Sequence, residues 1–352
     1  MNTLEKIQAN LEKYNIDAIV VESPFNRRYL TGFTGTFGVA FISKDQAKFI
    51  TDFRYTEQAA NQAQHFDIIE NRNTTKEIAN LVQTMGIKTV GFEEEHVTFN
   101  QYRQLEKELN ASLIPISSPV EDLRKVKTDD EIAKIKTAAS IADKAFTKIL
   151  NDIRPGVTEI EINNKLEMYM RDAGATSSSF DLIIASGYRS ALPHGVASNK
   201  IIETGDMVTL DFGALYEGYC SDMTRTVAVG EPDQQLKDIY EIVKRALELG
   251  ISAVKSGVQC KYIDTVVRDF ISSKGYGENF GHGTGHSFGL EIHEGPYFSQ
   301  KSKDVLETGM VMTIEPGIYI PNLGGVRIED DVLVTETACE ILTTSPKELI
   351  FL

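Results

Sequence analysis

The chain has 352 residues, 41% hydrophobic and 25% charged, which is enough for about two ordinary domains, each with its own core. Its 36 Lys and Arg against 51 Asp and Glu leave a formal charge of −15, which argues against nucleic acid and anionic membranes as partners. Three cysteines (Cys220, Cys260, Cys339) with no CxxC pair exclude a disulfide scaffold, a zinc finger and an iron–sulfur protein. MNTLEKIQANLEKYN has no basic start followed by an apolar run, and no stretch approaches the roughly 20 apolar residues of a membrane span. A cytoplasmic protein without a signal peptide is expected.

In chain order, DAIVVE (17–22), GVAFIS (38–43), QAKFITD (46–52) and KTVGFE (88–93) are short runs bounded by turn residues and predict strands. Helical spacing predicts helices near 3–14, 55–64, 75–86 and 98–110. Pro115 and Pro119 bracket a short connection in this reading. Thr128 and Glu131 then form a capping box, in which hydroxyl and carboxylate each satisfy a free amide and open a helix. The expected division is a smaller α/β domain at 1–122 and a second domain at 123–352. A second box, Thr158 with Glu161, follows Pro155-Gly156.

The second domain repeats itself. IETGDMVTLDFG (202–213) and LETGMVMTIEPG (306–317) align at an offset of 104, which lays Asp211 on Glu315. DMTRTVAV (222–229) matches EDDVLVTE (329–336) at 107, laying Asp222 on Glu329. Upstream, the turn at Arg154-Pro155-Gly156-Val157 resembles that at Lys255-Ser256-Gly257-Val258, at 101. His194-Gly195 and His293-Glu294 correspond at 99. Shared ancestry accounts for the apolar positions, but not for acids inside apolar strands, where an unpaired carboxylate costs several kcal/mol to desolvate.

Four acids converging about a pseudo-twofold axis require positive charge nearby. Two divalent cations would supply it, and so would an ion-pair network with Arg225, Arg327 and nearby lysines; the acids alone leave both readings open. Carboxylate-rich ligation favours Mn²⁺, with Co²⁺, Fe²⁺ or Zn²⁺ as alternatives. The histidines tip the balance toward metal. Of six, His194, His282, His286 and His293 lie in the second domain, three of them within FGHGTGHSFGLEIHEG. The glycines around His282 and His286 predict a loop or tight turn there, and His65 and His96 read as surface residues. Asp211-Phe212-Gly213 lacks the other kinase motifs, GHGTGHSFG lacks a Walker lysine, and His293-Glu294 lacks the second histidine of HExxH.

The order Asp211, Asp222, His286, Glu315, Glu329 resembles the ligand signature of the pita-bread metallopeptidases, which include aminopeptidase P and prolidase. LPHG (192–195), TLDFGALYEGYCSDMTRT (209–226), GHGTGH (281–286), HEGP (293–296), TIEPGIY (313–319) and GVRIEDD (325–331) are similar to its Xaa-Pro branch. YLTGFTG (29–35) and TDFRY (51–55) resemble that branch's N-terminal domain. The resemblance implies an α+β chain: a pita-bread catalytic domain with internal pseudo-twofold duplication, preceded by a smaller creatinase-type α/β domain.

It also implies roles. Asp211 would bind one metal, His286 and Glu315 the other, and Asp222 and Glu329 would bridge the two. A metal-bridging hydroxide would attack the scissile carbonyl, with Glu315 as proton shuttle and His293 holding the tetrahedral intermediate. His194 would contact substrate beyond the scissile bond, His282 would line the proline pocket, and Arg327 would orient a carboxylate or bind substrate. Phe180, Tyr188 and Phe288 are expected as apolar walls. The implied activity is release of an N-terminal residue from Xaa-Pro peptides by a homodimer. A prolidase restricted to dipeptides is the alternative, and a non-catalytic binding module the remote one.

Overall fold

The computed structural model describes residues 2–352, in two compact units that part between Arg124 and Lys125. The first carries six strands, β1 (Ala18–Val21), β2 (Val39–Ser43), β3 (Ala47–Thr51), β4 (Asp67–Glu70), β5 (Thr89–Glu93) and β6 (Ser112–Ile116), in the sheet order β4-β3-β2-β1-β5-β6. β1 and β3 run antiparallel to β2, and the remaining neighbours are parallel. Ile19 and Val21 point into one core, Ala18 and Val20 into the other, as the two-residue period of a strand dictates. Six helices, α1 (Thr3–Lys13), α2 (Pro24–Thr31), α3 (Thr56–Gln62), α4 (Thr74–Met85), α5 (Phe99–Glu108) and α6 (Glu121–Arg124), accompany the sheet.

Four elements of this unit, β4, β6, α2 and the short α6, were not expected from sequence. β4 and β6 are edge strands, partly exposed and without the apolar runs of the centre. Pro115 therefore belongs to β6 and not to a connection; an edge tolerates its missing N–H. α2 starts with Pro24 in its first turn behind the Ser23 cap and stops at Gly32, whose φ of 74° suits a residue without Cβ.

The second unit is built twice. α7 (Asp129–Ile149) and α8 (Glu159–Asp172) precede β7 (Ser177–Ser178), β8 (Ile183–Ser186), β9 (Met207–Phe212), β10 (Ala214–Tyr216), β11 (Tyr219–Cys220) and β12 (Met223–Ala228). α9 (Gln234–Ala253) and α10 (Cys260–Ser273) precede β13 (Gly285–Ser287), β14 (Glu294–Phe298), β15 (Val311–Ile314), β16 (Gly317–Ile320), β17 (Gly324–Arg327), β18 (Asp330–Val334) and β19 (Cys339–Ile341). The sheets are β12-β9-β8, β11-β10-β7, β14-β13-β15-β18-β19 and β16-β17. Both capping boxes form, at the starts of α7 and α8.

The duplication extends to single hydrogen bonds. Gly156 donates to the Ile202 carbonyl at 3.0 Å and Ile202 to Val157 at 2.8 Å; Gly257 and Leu306 repeat the pair at 2.8 and 2.8 Å. The register corrects one sequence expectation. Met207 pairs with Ala228 and Val311 with Leu333, so the second strands align at 105 and not 107, and Thr224, not Asp222, stands opposite Asp211. Asp222 and Glu329 nevertheless occupy like places, each the residue before its second strand, β12 or β18. Among the described residues no helix is long and apolar enough to cross a membrane.

Candidate metal centre

The two half-sites face a cavity of about 430 Å³. All nine residues singled out from sequence (His194, Asp211, Asp222, His282, His286, His293, Glu315, Arg327 and Glu329) line it. Asp211 comes from the penultimate position of β9 and Asp222 immediately precedes β12; Glu315 follows β15 and Glu329 precedes β18. His286 lies on β13 and not in a loop, although His282 does. Gly285 makes this approach feasible, because a Cβ there would fall 2.1 Å from the Thr313 carbonyl oxygen.

Asp211, Asp222 and Glu329 each offer an oxygen within 4.8 Å of the others. His286 Nε2 lies 3.5 Å from Glu315 and 3.7 Å from Asp222. Its Nδ1 faces the Ser287 carbonyl at 3.1 Å; a carbonyl only accepts, so Nδ1 carries the proton and Nε2 presents a lone pair to two carboxylates. Lone pairs facing one another at this range call for a cation between them. Asp211 adds a second sign, since its Oδ1 is buried without a hydrogen-bond partner.

Burial first, then the neighbouring acids, pushes the Asp222 and Glu329 carboxyls well above the carboxylate range. Burial pushes Glu315 up to about 7, against the pull of Arg327. Burial and neighbouring positive charge hold His282 near 4, and burial with His293 holds His286 near 4. A pocket that forces acids toward protonation and histidines toward neutrality has the donor set of a divalent-cation site. The competing ion-pair network is only partly built: Arg327 bonds Asp211 at 2.7 Å, whereas Arg225 pairs with Asp330 at 2.8 Å.

Other residues complete the pocket. Arg327 also donates to Thr224 at 3.1 Å and to the Tyr319 hydroxyl at 2.9 Å, which itself lies 2.8 Å from His282 Nε2. Thr224 donates to Glu329 at 2.6 Å. Of the expected aromatic walls only Phe180 lines the cavity; Tyr188 is 59% exposed and Phe288 is fully buried elsewhere. Ile183, Pro193, Val196, Ile292 and Tyr297 supply the remaining apolar lining. Tyr319 was visible in TIEPGIY, but nothing in the sequence ties its hydroxyl to His282.

Residues 133–336 match the model of metallopeptidase family M24, and residues 3–126 match the creatinase/prolidase N-terminal domain. The chain is 40% identical to the Xaa-Pro dipeptidase of Pyrococcus furiosus, across 99% of each. It superimposes with a TM-score of 0.98 on a structure described as Xaa-Pro dipeptidase from Bacillus anthracis, at 54% identity across 99% of both chains. A structure of X-Pro aminopeptidase from Thermotoga maritima gives 0.93 at 41% identity and full coverage of both. The protein belongs to metallopeptidase family M24: a creatinase-type domain followed by the duplicated pita-bread domain.

Proposed function

We propose that this enzyme hydrolyses the bond between a first residue and a following proline, with two divalent ions, Mn²⁺ foremost, held by Asp211, Asp222, His286, Glu315 and Glu329. One observation carries the reading: a neutral imidazole lone pair and four carboxylates face one another with only one guanidinium among them. The ions would supply Lewis-acid polarisation of the substrate carbonyl and a water of lowered pKa. The rest falls to the chain. Glu315, beside the ions and bonded by the Thr313 hydroxyl at 3.3 Å, is placed to take a proton from water and pass it to the leaving nitrogen. His293, exposed at the cavity beside His286 with ring centroids 4.6 Å apart, would donate to the oxygen on which charge develops.

His282 has its Nδ1 proton on the Gly283 carbonyl at 2.8 Å and its Nε2 on Tyr319, so it serves as a fixed wall of the proline pocket. Arg327 holds Asp211 in place, and His194 meets the substrate past the scissile bond. Proline offers no N–H to grip; apolar walls at Phe180, Ile183, Val196 and Ile292 suit its ring.

Dipeptides are the first substrates to test, because the Pyrococcus furiosus relative and the Bacillus anthracis structure are both described as Xaa-Pro dipeptidases. The name of the Thermotoga maritima structure supports the second reading, an aminopeptidase acting on longer peptides. Turnover of Ala-Pro, Ala-Pro-Ala and Ala-Ala by Mn²⁺-loaded protein separates them. Cleavage of Ala-Pro alone, abolished by a chelator, is the expected result; cleavage of Ala-Pro-Ala as well would select the aminopeptidase. No turnover of either proline peptide by protein with about two ions per chain would overturn the proposal. A cytoplasmic homodimer accompanies this reading, and light scattering tests the dimer.

A further inference from the structure

Two histidine-bearing loops of the cavity, those of His194 and His282, are each tied to a helix by one fully buried carboxylate. In the first half the acid is Glu159, the first residue of α8. Its Oε1 accepts from the backbone and hydroxyl of Ser186 at 2.7 and 2.9 Å. Its Oε2 accepts from the backbone and hydroxyl of Ser198 at 3.0 and 2.7 Å, and from Arg189. Ser186 and Ser198 are the two ends of the segment that carries His194 and Val196 into the cavity. Arg189 closes the loop from within, donating to the Val196 carbonyl at 2.8 Å.

In the second half the acid is Asp264, one turn into α10. It accepts from Thr284 (backbone at 3.2 Å, hydroxyl at 2.9 Å), from Arg268 at 2.9 and 2.9 Å, and from Gln300 at 2.5 Å. Arg268 reaches on to the carbonyls of Phe280 and His282, at 3.0 and 2.7 Å. The Thr284 carbonyl in turn accepts the Glu315 N–H at 2.8 Å. The two acids are not repeat-equivalents: the offset of 101 that aligns the helix turns lays Glu159 on Cys260. Each half thus has an acid–arginine clamp at its own helix position, so the arrangement is not a residue of duplication alone.

We infer that Glu159 and Asp264 are positioning residues of the peptidase, each holding one wall of the cavity in register with the acid cluster; the inference rests on the function proposed above. The geometry assigns them different effects. Glu159 acts on His194 and Val196, which would meet the substrate in ground and transition state alike. Asp264 acts through Thr284 on Glu315 and through Arg268 on His282, next to the reacting atoms. Losing ground-state contact raises KM, whereas misplacing the proton-handling group lowers kcat.

The test uses Glu159→Gln and Asp264→Asn in the full-length, Mn²⁺-loaded protein. Kinetics on the best proline peptide are combined with hydrogen exchange measured without substrate. Glu159→Gln should raise KM about tenfold with kcat nearly unchanged, and Asp264→Asn should lower kcat about tenfold with a smaller rise in KM through His282, since displacements near 1 Å cost up to about a hundredfold. Exchange should quicken across 186–198 in the first variant and 280–287 in the second, with neither loop responding to the other's change. Should an acid variant not fold, Ser198→Ala and Arg268→Lys weaken the same clamps and carry the same expectations, smaller in size. Unaltered kinetic constants with bound metal intact, or exchange rising equally in both loops, would overturn the inference. A wild type inactive on proline peptides would sink the functional reading instead, and the exchange pattern would still decide the clamps.

Discussion

The two halves of the catalytic unit share a backbone plan yet differ in what they bring to the cavity. The first supplies two aspartates, Asp211 and Asp222; the second supplies two glutamates and the inward lone pair of His286. The first half's Asp211 is held by an arginine of the second, Arg327, and the second half's Glu329 by a threonine of the first, Thr224. Neither half therefore makes a complete site. Crossed support of this kind fixes the spacing between acids more firmly than support from the same hairpin would, because any slip of one half against the other breaks both contacts.

Glu329→Gln makes the sharpest break. The amide keeps shape and volume but removes a charge from the shared centre, and we expect activity to fall by about a thousandfold or more with bound metal reduced. The metal-free variant should melt at a higher temperature than metal-free wild type, because the amide, unlike the buried Glu329 carboxyl, need neither desolvate a charge nor take up a proton on folding. Wild-type turnover in this variant would remove Glu329 from the proposed ligands. Equal melting temperatures without metal would show that the acids do not strain the fold.

A second break uses pH. In the metal-free protein Asp222, Glu315 and Glu329 all bind protons more tightly when folded, burial being the leading cause. Where the folded state holds more protons than the unfolded chain, stability falls as pH rises. His282 and His286, held near 4 against an ordinary 6.5, oppose this trend only below about pH 6.5. From pH 8 down to about 6.5 the metal-free protein should therefore gain melting temperature. Mn²⁺ needs deprotonated ligands, so its stabilising increment should be larger at pH 8 than at 6.5. Thermal melts with and without Mn²⁺ at both pH values check this; an increment independent of pH would mean the raised acids are not where the metal binds.

The parts of this molecule legible in the sequence were those set by local or repeated chemistry. Thr128-Glu131 and Thr158-Glu161 announce helix starts because the cap is made within four residues. Asp211 and Glu315 stood out because charge inside an apolar strand needs a reason. Edge strands β4 and β6 did not show, since half-exposed strands carry neither a run nor a clean alternation. The register of 105 was invisible because an insertion can be placed at several points without changing the apolar pattern. Tyr188 and Phe288 looked like walls for being aromatic, but which way a ring points is settled by packing. The Tyr319–Arg327–Asp211 chain and the two clamps join residues far apart in sequence, and pattern alone has no hold on them.

The smallest expected effect concerns the second helix of each half. α8 begins with a complete capping box, the Thr158 hydroxyl accepting from the Glu161 N–H at 3.2 Å and the Glu161 carboxylate from the Thr158 N–H at 2.7 Å. α10 begins at the corresponding turn with Gln259, whose side chain makes no cap bond although its φ of −69° and ψ of 133° are those of a capping residue. The backbone is ready and only the side chain is wrong: a glutamine amide is too long to fold back onto the first turn. Gln259→Ser should raise stability by about 0.5–1 kcal/mol, and Thr158→Ala should lower it by about 1 kcal/mol. Neither should alter turnover, since Gln259 is exposed, Thr158 is only partly buried, and none of the cavity residues bonds to them. Denaturant melts of the two variants give the comparison directly. A serine at 259 that leaves stability unchanged would mean that the first-turn amides of α10 gain nothing from a side-chain cap.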